Sequence, residues 1–327
     1  MRSEKSRRAK FATILGATHK VADTTSLTLN GKGLSELPGF LLMEMGKLTK
    51  LESLSLKQNQ LTSIPVDIRK LRKLKHLLLT ENHLTSIPAE IGGLMQLTEL
   101  DLSQNKLVSI PVEMWKLTEL TELDLSQNQL TSIPAEVGKL TGLTHLDLSR
   151  NQLTSVPAEI GKLTELIELR ASQNQLTAVP VEMWKLTELF ELDLSQNHFT
   201  SIAAEVGKLT ELRELDLSEN QLTSIPVEVG KLTGLRELNL SQNKLTSIPV
   251  EIGKLSELTE LQLNENQLTS VPVEIGKLTE LTELRLNHNK LCSIPAEIEQ
   301  LSNLNLWLND NPLDSGSASS VETKKRH

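Results

Sequence analysis

The 327-residue chain contains one cysteine and no tyrosine, and aromatic residues make up only 2% of it, as four phenylalanines and three tryptophans. The lone Cys292 excludes an intramolecular disulfide and a cysteine cluster for zinc. With so few aromatics, a core has to be built from leucine, isoleucine, valine and alanine, which is unusual for an enzyme. No apolar run reaches the ~18 residues of a membrane-spanning helix. The Gly-x-Ser-x-Gly elbow, the phosphate-binding Gly-x-x-x-x-Gly-Lys-Ser/Thr loop and the His-Glu-x-x-His metal motif are all missing. Histidines such as His76, His83, His145, His198 and His288 fall at unrelated positions, and no EF-hand loop is present. These absences set the expectations: a cytoplasmic, non-enzymatic protein with no cofactor, no metal site and no membrane span.

Hydrophobic residues are 38% of the chain and charged residues 23%, enough apolar material for a packed core. The formal net charge of −8 hides a split. Residues 1–75 hold 15 Lys and Arg against 6 Asp and Glu, and the remainder holds 19 against 36. A basic N-terminal region (Arg2, Lys5, Arg7, Arg8, Lys10, then Lys57, Arg69, Lys70, Arg72, Lys73, Lys75) therefore precedes an acidic body. Its possible meetings are with an anionic protein, a membrane surface or another copy's acidic body. Without aromatic stacking platforms nearby, a nucleic-acid groove is disfavoured.

One period dominates the sequence. Asn59, Asn82, Asn105, Asn128, Asn151, Asn174, Asn197, Asn220, Asn243, Asn266 and Asn289 recur every 23 residues. Around Asn128, Leu123 and Leu125 alternate with Glu122, Asp124 and Ser126, the pattern of a strand with one buried and one wet face. The asparagines suit a buried ladder, since an amide both donates to and accepts from the backbone of adjacent coils. Pro134 then sets a backbone angle, and Val137, Leu140 and Leu143 follow at intervals of three, which predicts a short 3₁₀-like turn. Glu136 and Lys139, like Glu159 with Lys162 and Glu228 with Lys231, are spaced for ion pairs on that turn. No 23-residue coil buries both its faces alone, so the coils must stack.

The phrase Leu-x-x-Leu-x-Leu-x-x-Asn-x-Leu, continued by Ile-Pro-x-Glu-Ile/Val-Gly-x-Leu, resembles the 23-residue leucine-rich repeat of intracellular type over residues 27–313. It is similar to the Ras-group leucine-rich repeat proteins of animals and plants and to related bacterial and protist arrays. The resemblance implies an α/β fold, a right-handed horseshoe solenoid with a parallel concave sheet and short 3₁₀ or irregular convex segments. It implies protein binding, with a small GTPase or a phosphatase complex as a partner class. The expected organisation is a basic helical cap over 1–26, a solenoid of thirteen strands over 27–313, and a disordered Ser-rich, basic tail over 314–327. No C-terminal cap is evident in the sequence, so the chain also reads as a fragment, and a larger multidomain enzyme stays open as its source. A cell-surface or host-directed adhesive protein is the other alternative.

Read by column, the concave face presents Glu99, Glu122, His145, Glu168, Glu191 and Glu214, and beside them Asp101, Asp124, Asp147, Arg170, Asp193 and Asp216. Like charges on strands ~4.8 Å apart repel. Two readings stand. Either this surface binds a basic protein segment in a scaffold or regulatory adaptor of the kind used in signal transduction, or the glutamates were copied with the coils. Departures from the repeat crowd between residues 145 and 204, where Arg150, Trp184 and Phe190 form a possible hot spot of anchoring residue types; drift of one coil pair is the other reading. Trp115 and Trp184, each after a methionine, mark either an apolar convex groove or a block duplication.

Overall fold

The computed structural model describes residues 24–37 and 48–314. The expected helical cap and disordered tail lie outside them, apart from the few residues at their inner ends. The chain forms two compact units, Met1–His145 and Leu146–His327. The described residues form thirteen strands of three residues: β1 Ser26–Thr28, β2 Ser53–Ser55, β3 His76–Leu78, β4 Glu99–Asp101, β5 Glu122–Asp124, β6 His145–Asp147, β7 Glu168–Arg170, β8 Glu191–Asp193, β9 Glu214–Asp216, β10 Glu237–Asn239, β11 Glu260–Gln262, β12 Glu283–Arg285 and β13 Asn305–Trp307.

Both units are built as right-handed parallel solenoids. In the first unit β1 to β5 pair in chain order, with Leu27, Leu54, Leu77, Leu100 and Leu123 in register. In the second, β7 to β13 do the same through Leu169, Leu192, Leu215, Leu238, Leu261, Leu284 and Leu306. This register places every recurring residue directly beside its counterpart one coil away. A column of the sequence is therefore a column in space.

The interval of three on the outer segment is explained by its hydrogen bonds. Val137 N donates to Pro134 O at 3.1 Å, Leu140 N to Val137 O at 3.0 Å and Leu143 N to Leu140 O at 3.0 Å, a 3₁₀ course that turns the same side chains inward at each step. Proline stands just before this turn with an extended backbone, at φ −78° in Pro134. Ala203 adopts φ −69° and ψ 148° in the same place, so the geometry does not require the ring. The expected Glu–Lys pairs on these turns do not close, and among the described residues Asp67–Lys70 is the i,i+3 ion pair that forms, at 2.8 Å. In water such a pair is worth little, so nothing enforces it.

The asparagine ladder is fully engaged. Asn197, 4% exposed, accepts from Leu176 N of the preceding coil at 3.0 Å and donates through Nδ2 to Ala171 O there and to Leu194 O and Ser195 O in its own coil, at 3.0–3.2 Å. One side chain thus satisfies the backbone of two coils where the strand ends and no ladder partner is left. The residue before each asparagine sits in the left-handed region, for example Gln104 at φ 53° and Glu219 at φ 52°. None of these is glycine, and the sequence pattern gave no sign of them.

Trp184 does not stand at the surface. It is 1% exposed and Trp115 is 0% exposed, so neither is an exposed anchor and no tryptophan-lined convex groove exists. The reason lies in the glycine that other coils carry there. A Cβ on Gly161 would sit 2.2 Å from Glu182 O in the next turn, and one on Gly92 2.4 Å from Glu113 O. Glycine lets consecutive turns touch. After each tryptophan-bearing turn, Val112–Lys116 and Val181–Lys185, the following turn approaches less closely, and the indole packs inward beside Met114 or Met183.

Candidate functional site: an acidic strip between two arginine clamps

In the first unit, the acidic columns are short and partly balanced. Glu99 and Asp101 lie beside Glu122 and Asp124. His76 Nδ1 is 2.9 Å from Glu99, and Lys57 Nζ is 3.1 Å from Asp101, which also accepts a hydrogen bond from Thr80. Burial raises the Asp101 pKa, but hydrogen bonds from Ser103, Thr80 and Lys57 outweigh it and hold the carboxyl below its ordinary value. His145 is half-buried at the end of this unit, with Nδ1 2.9 Å from Thr144 Oγ1.

In the second unit the columns are longer, and their order differs. Glu168, Glu191, Glu214, Glu237, Glu260 and Glu283 run in one register; Arg170, Asp193, Asp216, Asn239, Gln262 and Arg285 run in the other. Arg170 does more than interrupt the acids. Its Nε and Nη2 donate to the two carboxylate oxygens of Glu191 at 2.8 and 3.2 Å, and its Nη1 lies 3.0 Å from Glu168. The Glu191 hydrogen bond, followed by the charges of Glu191, Glu168 and Asp147, raises the Arg170 pKa against the effect of burial. At the far end Arg285 bonds Glu283 and lies over the Trp307 ring, 5.3 Å from its centre.

Between these clamps Asp193, Glu214, Asp216, Glu237 and Glu260 meet no cation among the described ion pairs. Desolvation, with the Asp193 charge added, raises the Asp216 pKa in spite of the Ser218 hydrogen bonds. Desolvation and then the negative charges of Glu214, Glu260, Glu191 and Glu283 raise that of Glu237. β8 to β11 line a depression of ≈ 180 Å³ here. Small-molecule pockets run to about 300–1,000 Å³, so the depression suits side chains of a polypeptide better than a compact ligand.

The two columns differ in what the fold asks of them. Aspartate Oδ1 accepts the backbone N–H of the serine two residues on: Ser126 to Asp124 at 2.8 Å, Ser149 to Asp147 at 2.8 Å, Ser195 to Asp193 at 2.9 Å, Ser218 to Asp216 at 2.8 Å. Aspartate therefore recurs for a local structural reason, as a turn-capping acceptor. The uncompensated glutamates have no such bond in the strip. Of the other residues singled out from the sequence, Arg150 is exposed at the opposite strand ends with φ 55°, Phe190 is 45% exposed, and Ala171 and Phe199 are buried. Sequence reasoning missed Ile167, Arg213 and Arg236, which share the Phe190 column; the residue type changes there from threonine over four coils, a signal that was readable. Among the described residues no group of three or more His, Cys, Asp or Glu is arranged to hold a metal ion, and no helix is long and apolar enough to cross a membrane.

Comparison with known proteins places this geometry. The model of a leucine-rich repeat region matches residues 112–227, and a second leucine rich repeat model matches 49–107, 72–130, 210–268 and 233–291. None of the curated protein sequences matches the chain. Among solved structures, a leucine-rich repeat protein of Leptospira interrogans, LIC12759, is 32% identical over 95% of this chain and 96% of its own, with a TM-score of 0.78. An internalin of Listeria monocytogenes, inlF, is 26% identical over 88% and 87%, with a TM-score of 0.71. The leucine-rich repeat ectodomain of the Arabidopsis thaliana membrane receptor kinase GASSHO1/SCHENGEN3, solved with Casparian strip integrity factor 2, is 33% identical over 86% of this chain and 40% of its own, with a TM-score of 0.60.

These likenesses overturn two expectations. Similar structures are bacterial leucine-rich repeat proteins, internalins and receptor ectodomains, rather than intracellular Ras-group proteins, and the cytoplasmic assignment falls with that kinship. The physical reason is that leucine packing and the asparagine ladder hold each coil closed in any compartment. A coil so built needs no disulfide, and the single cysteine carried no information about redox surroundings. Among the receptors, RGFR1 is a plant peptide hormone receptor solved in complex with RGF2, and these structures lend no support to a GTPase or phosphatase as the partner class.

Proposed function

The chain belongs to the leucine-rich repeat family, and we propose that it is a protein-binding module of the cell-surface or host-directed kind that takes a basic polypeptide segment on β8 to β11. The carrying observation is the strip of Asp193, Glu214, Asp216, Glu237 and Glu260, left without cations between the Arg170 and Arg285 clamps. The carboxyl pKa values of Asp216 and Glu237 are raised by desolvation and then by the neighbouring negative charges, and an incoming cationic segment relieves that repulsion. Glu168 and Glu191 are already matched by Arg170 and contribute less. The likeness to the Leptospira protein across nearly both whole chains, and to internalin and a receptor ectodomain, supports the location.

The test uses a fluorescent oligolysine peptide as probe and two neutralised variants of the full chain. One carries Asp193→Asn, Glu214→Gln, Asp216→Asn and Glu237→Gln; the control carries Glu136→Gln, Glu159→Gln, Glu205→Gln and Glu228→Gln on the convex turns. Affinity should fall by about tenfold or more in the first and little in the second, and decline with salt in the wild type. Equal loss in both variants would mean non-specific attraction and sink the reading. Protease treatment of intact producing cells tests location, with a protected protein counting against it.

A further inference from the structure

In five coils the residue preceding the strand's glutamate or histidine has an internal purpose. It is threonine, whose Oγ1 donates to the carbonyl of the same column one coil back: Thr98 to Lys75 at 3.1 Å, Thr121 to Thr98 at 3.1 Å, Thr144 to Thr121 at 2.9 Å, Thr259 to Arg236 at 3.0 Å and Thr282 to Thr259 at 3.1 Å. Over four consecutive coils of the second unit this bond is given up. Ile167, Phe190, Arg213 and Arg236 occupy the column, and their backbones stay in ladder register: Phe190 N to Ile167 O, Arg213 N to Phe190 O and Arg236 N to Arg213 O, each at 2.8 Å. Successive side chains are therefore one strand spacing, ~4.8 Å, apart and project from the same edge.

What replaces threonine is unfavourable for the free chain. Ile167 is 43% exposed and Phe190 45% exposed. Arg213 lays its guanidinium 6.0 Å from the Phe190 ring centre and donates from Nη1 to Gly234 O at 2.7 Å. Gly234 stands where the neighbouring coils carry glutamate, at Glu188, Glu211 and Glu257, and a Cβ there would fall 1.5 Å from Arg213 Nη1. Two departures in adjacent coils thus fit one another. Arg236 is exposed and reaches only to 3.8 Å from Glu257. In a unit crowded with carboxylates, Arg213 forms no ion pair among the described residues and sits over a ring instead. The row thus holds an exposed Phe190, a half-buried Arg213 and an exposed Arg236, and aromatic and arginine side chains are the residue types that dominate interface energies.

We propose that Ile167, Phe190, Arg213 and Arg236 form a second docking strip that takes an acidic polypeptide segment, with an apolar side chain against Ile167 and Phe190 and carboxylates on Arg213 and Arg236. The strip borders the glutamate column, so a partner that spans both is basic where it crosses β8 to β11 and acidic, with an apolar residue, along the edge. This rests on the chain being a protein-binding module but not on the acidic strip being its other half.

The decisive variant restores the regular coil, Ile167→Thr, Phe190→Thr, Arg213→Thr and Arg236→Thr, which returns the lost hydroxyl bonds and should leave the melting temperature unchanged or higher. Probes are a twelve-residue peptide of alternating glutamate and leucine, the same peptide with alanine for leucine, oligolysine, and phosphatidylserine vesicles. Wild type should bind the glutamate–leucine peptide, the threonine variant about tenfold or more weaker, and the alanine peptide should bind weakly to both. Oligolysine binding should be the same for wild type and the threonine variant, so failure here and failure of the acidic strip are read on different probes. The proposal is overturned if the glutamate–leucine peptide binds both proteins alike or neither, if the vesicles and not the peptide are captured by wild type, or if the threonine variant melts several degrees lower, which would make the four residues structural.

Discussion

The pentapeptide Glu-Leu-Asp-Leu-Ser occurs at 99–103 in the first unit and at 214–218 in the second, and its central aspartate behaves oppositely in the two. Both carboxylates accept from their serine, Asp101 from Ser103 N at 3.1 Å and Asp216 from Ser218 N at 2.8 Å, and burial raises both pKa values. Asp101 gains Lys57, two coils back, and Thr80, and ends below the ordinary value. Asp216 has Asp193 on one side and Asn239 on the other, and ends above it. Identical local sequence therefore fixes the backbone and the cap, while the charge character comes from residues 21, 23 or 44 positions away. In a repeat protein the site is written between coils.

If the difference lies only on the surface, the interior beneath the two sites must be interchangeable. Asn105 accepts from Leu84 N and donates to Leu79 O, Leu102 O and Ser103 O, all at 3.0 Å. Asn220 makes the corresponding four contacts with Phe199 N, Leu194 O, Leu217 O and Ser218 O at 3.0–3.1 Å. Asn105→Ala and Asn220→Ala should each lose ~3 kcal/mol, the penalty of stranding buried backbone donors and acceptors. Urea unfolding measures it, and losses differing by more than about 1 kcal/mol would break the equivalence. A smaller effect, ~0.5–1 kcal/mol, is expected of Lys57→Met, which removes the cation from Asp101; the Asp101 carboxyl resonance should then titrate at higher pH. Smaller again is the backbone. Gln104 and Glu219 hold the same left-handed angle, so Gln104→Gly and Glu219→Gly should each gain about 0.5 kcal/mol, relief of strain less the entropy of glycine in the unfolded chain. A loss at either position would show that the side chain does more than fill the turn.

The coil was legible because its causes are local and repeated. Alternation at Leu123 and Leu125, the step of three through Val137, Leu140 and Leu143, and the recurrence of Asn128 each reflect a packing need that every coil shares. The same uniformity hid the rest. Trp184 reads as an exposed anchor when set against Gly161, because a column of glycine looks like a surface until the next turn is seen 2.2 Å from the missing Cβ. The left-handed position is filled by Gln, Glu, Arg, His and Asp, residues that announce no special angle. The sequence columns show Arg170 as an interruption of the acids, but not that it grips Glu191 one coil on or that Arg285 lies over Trp307 one coil on, contacts that divide the acids into matched and unmatched stretches. The edge row of Ile167, Phe190, Arg213 and Arg236 shows in the sequence only as a change from threonine, and its meaning depends on hydroxyl bonds that join one coil to the next. Compartment left no trace in the repeat at all.

The finest test of the comparison replaces Asp216 by its neutral isostere. Asn239 shows that the coil accepts asparagine in this column, because its Oδ1 receives Ser241 N at 3.1 Å and Ser241 Oγ at 2.7 Å, the same cap that aspartate makes. Asp216→Asn therefore keeps the turn and removes only the charge that Asp193 and burial oppose. A carboxyl whose folded pKa is raised takes up its proton in the native state first, so its stability contribution is greatest below the unfolded value of about 3.9 and falls as pH rises through the folded one. At neutral pH the variant should consequently be more stable by a few tenths of a kcal/mol, and the advantage should vanish in acid. Asp101→Asn should do the reverse: its folded pKa is depressed, its stabilising effect is present above the unfolded value and is lost as pH falls through the folded one, so the variant should be less stable at neutral pH and converge with wild type in acid. Melting curves of both variants from pH 3 to 7 decide it. Slopes of the same sign at the two positions would mean that the neighbours in the adjacent coils do not set the charge character of this column.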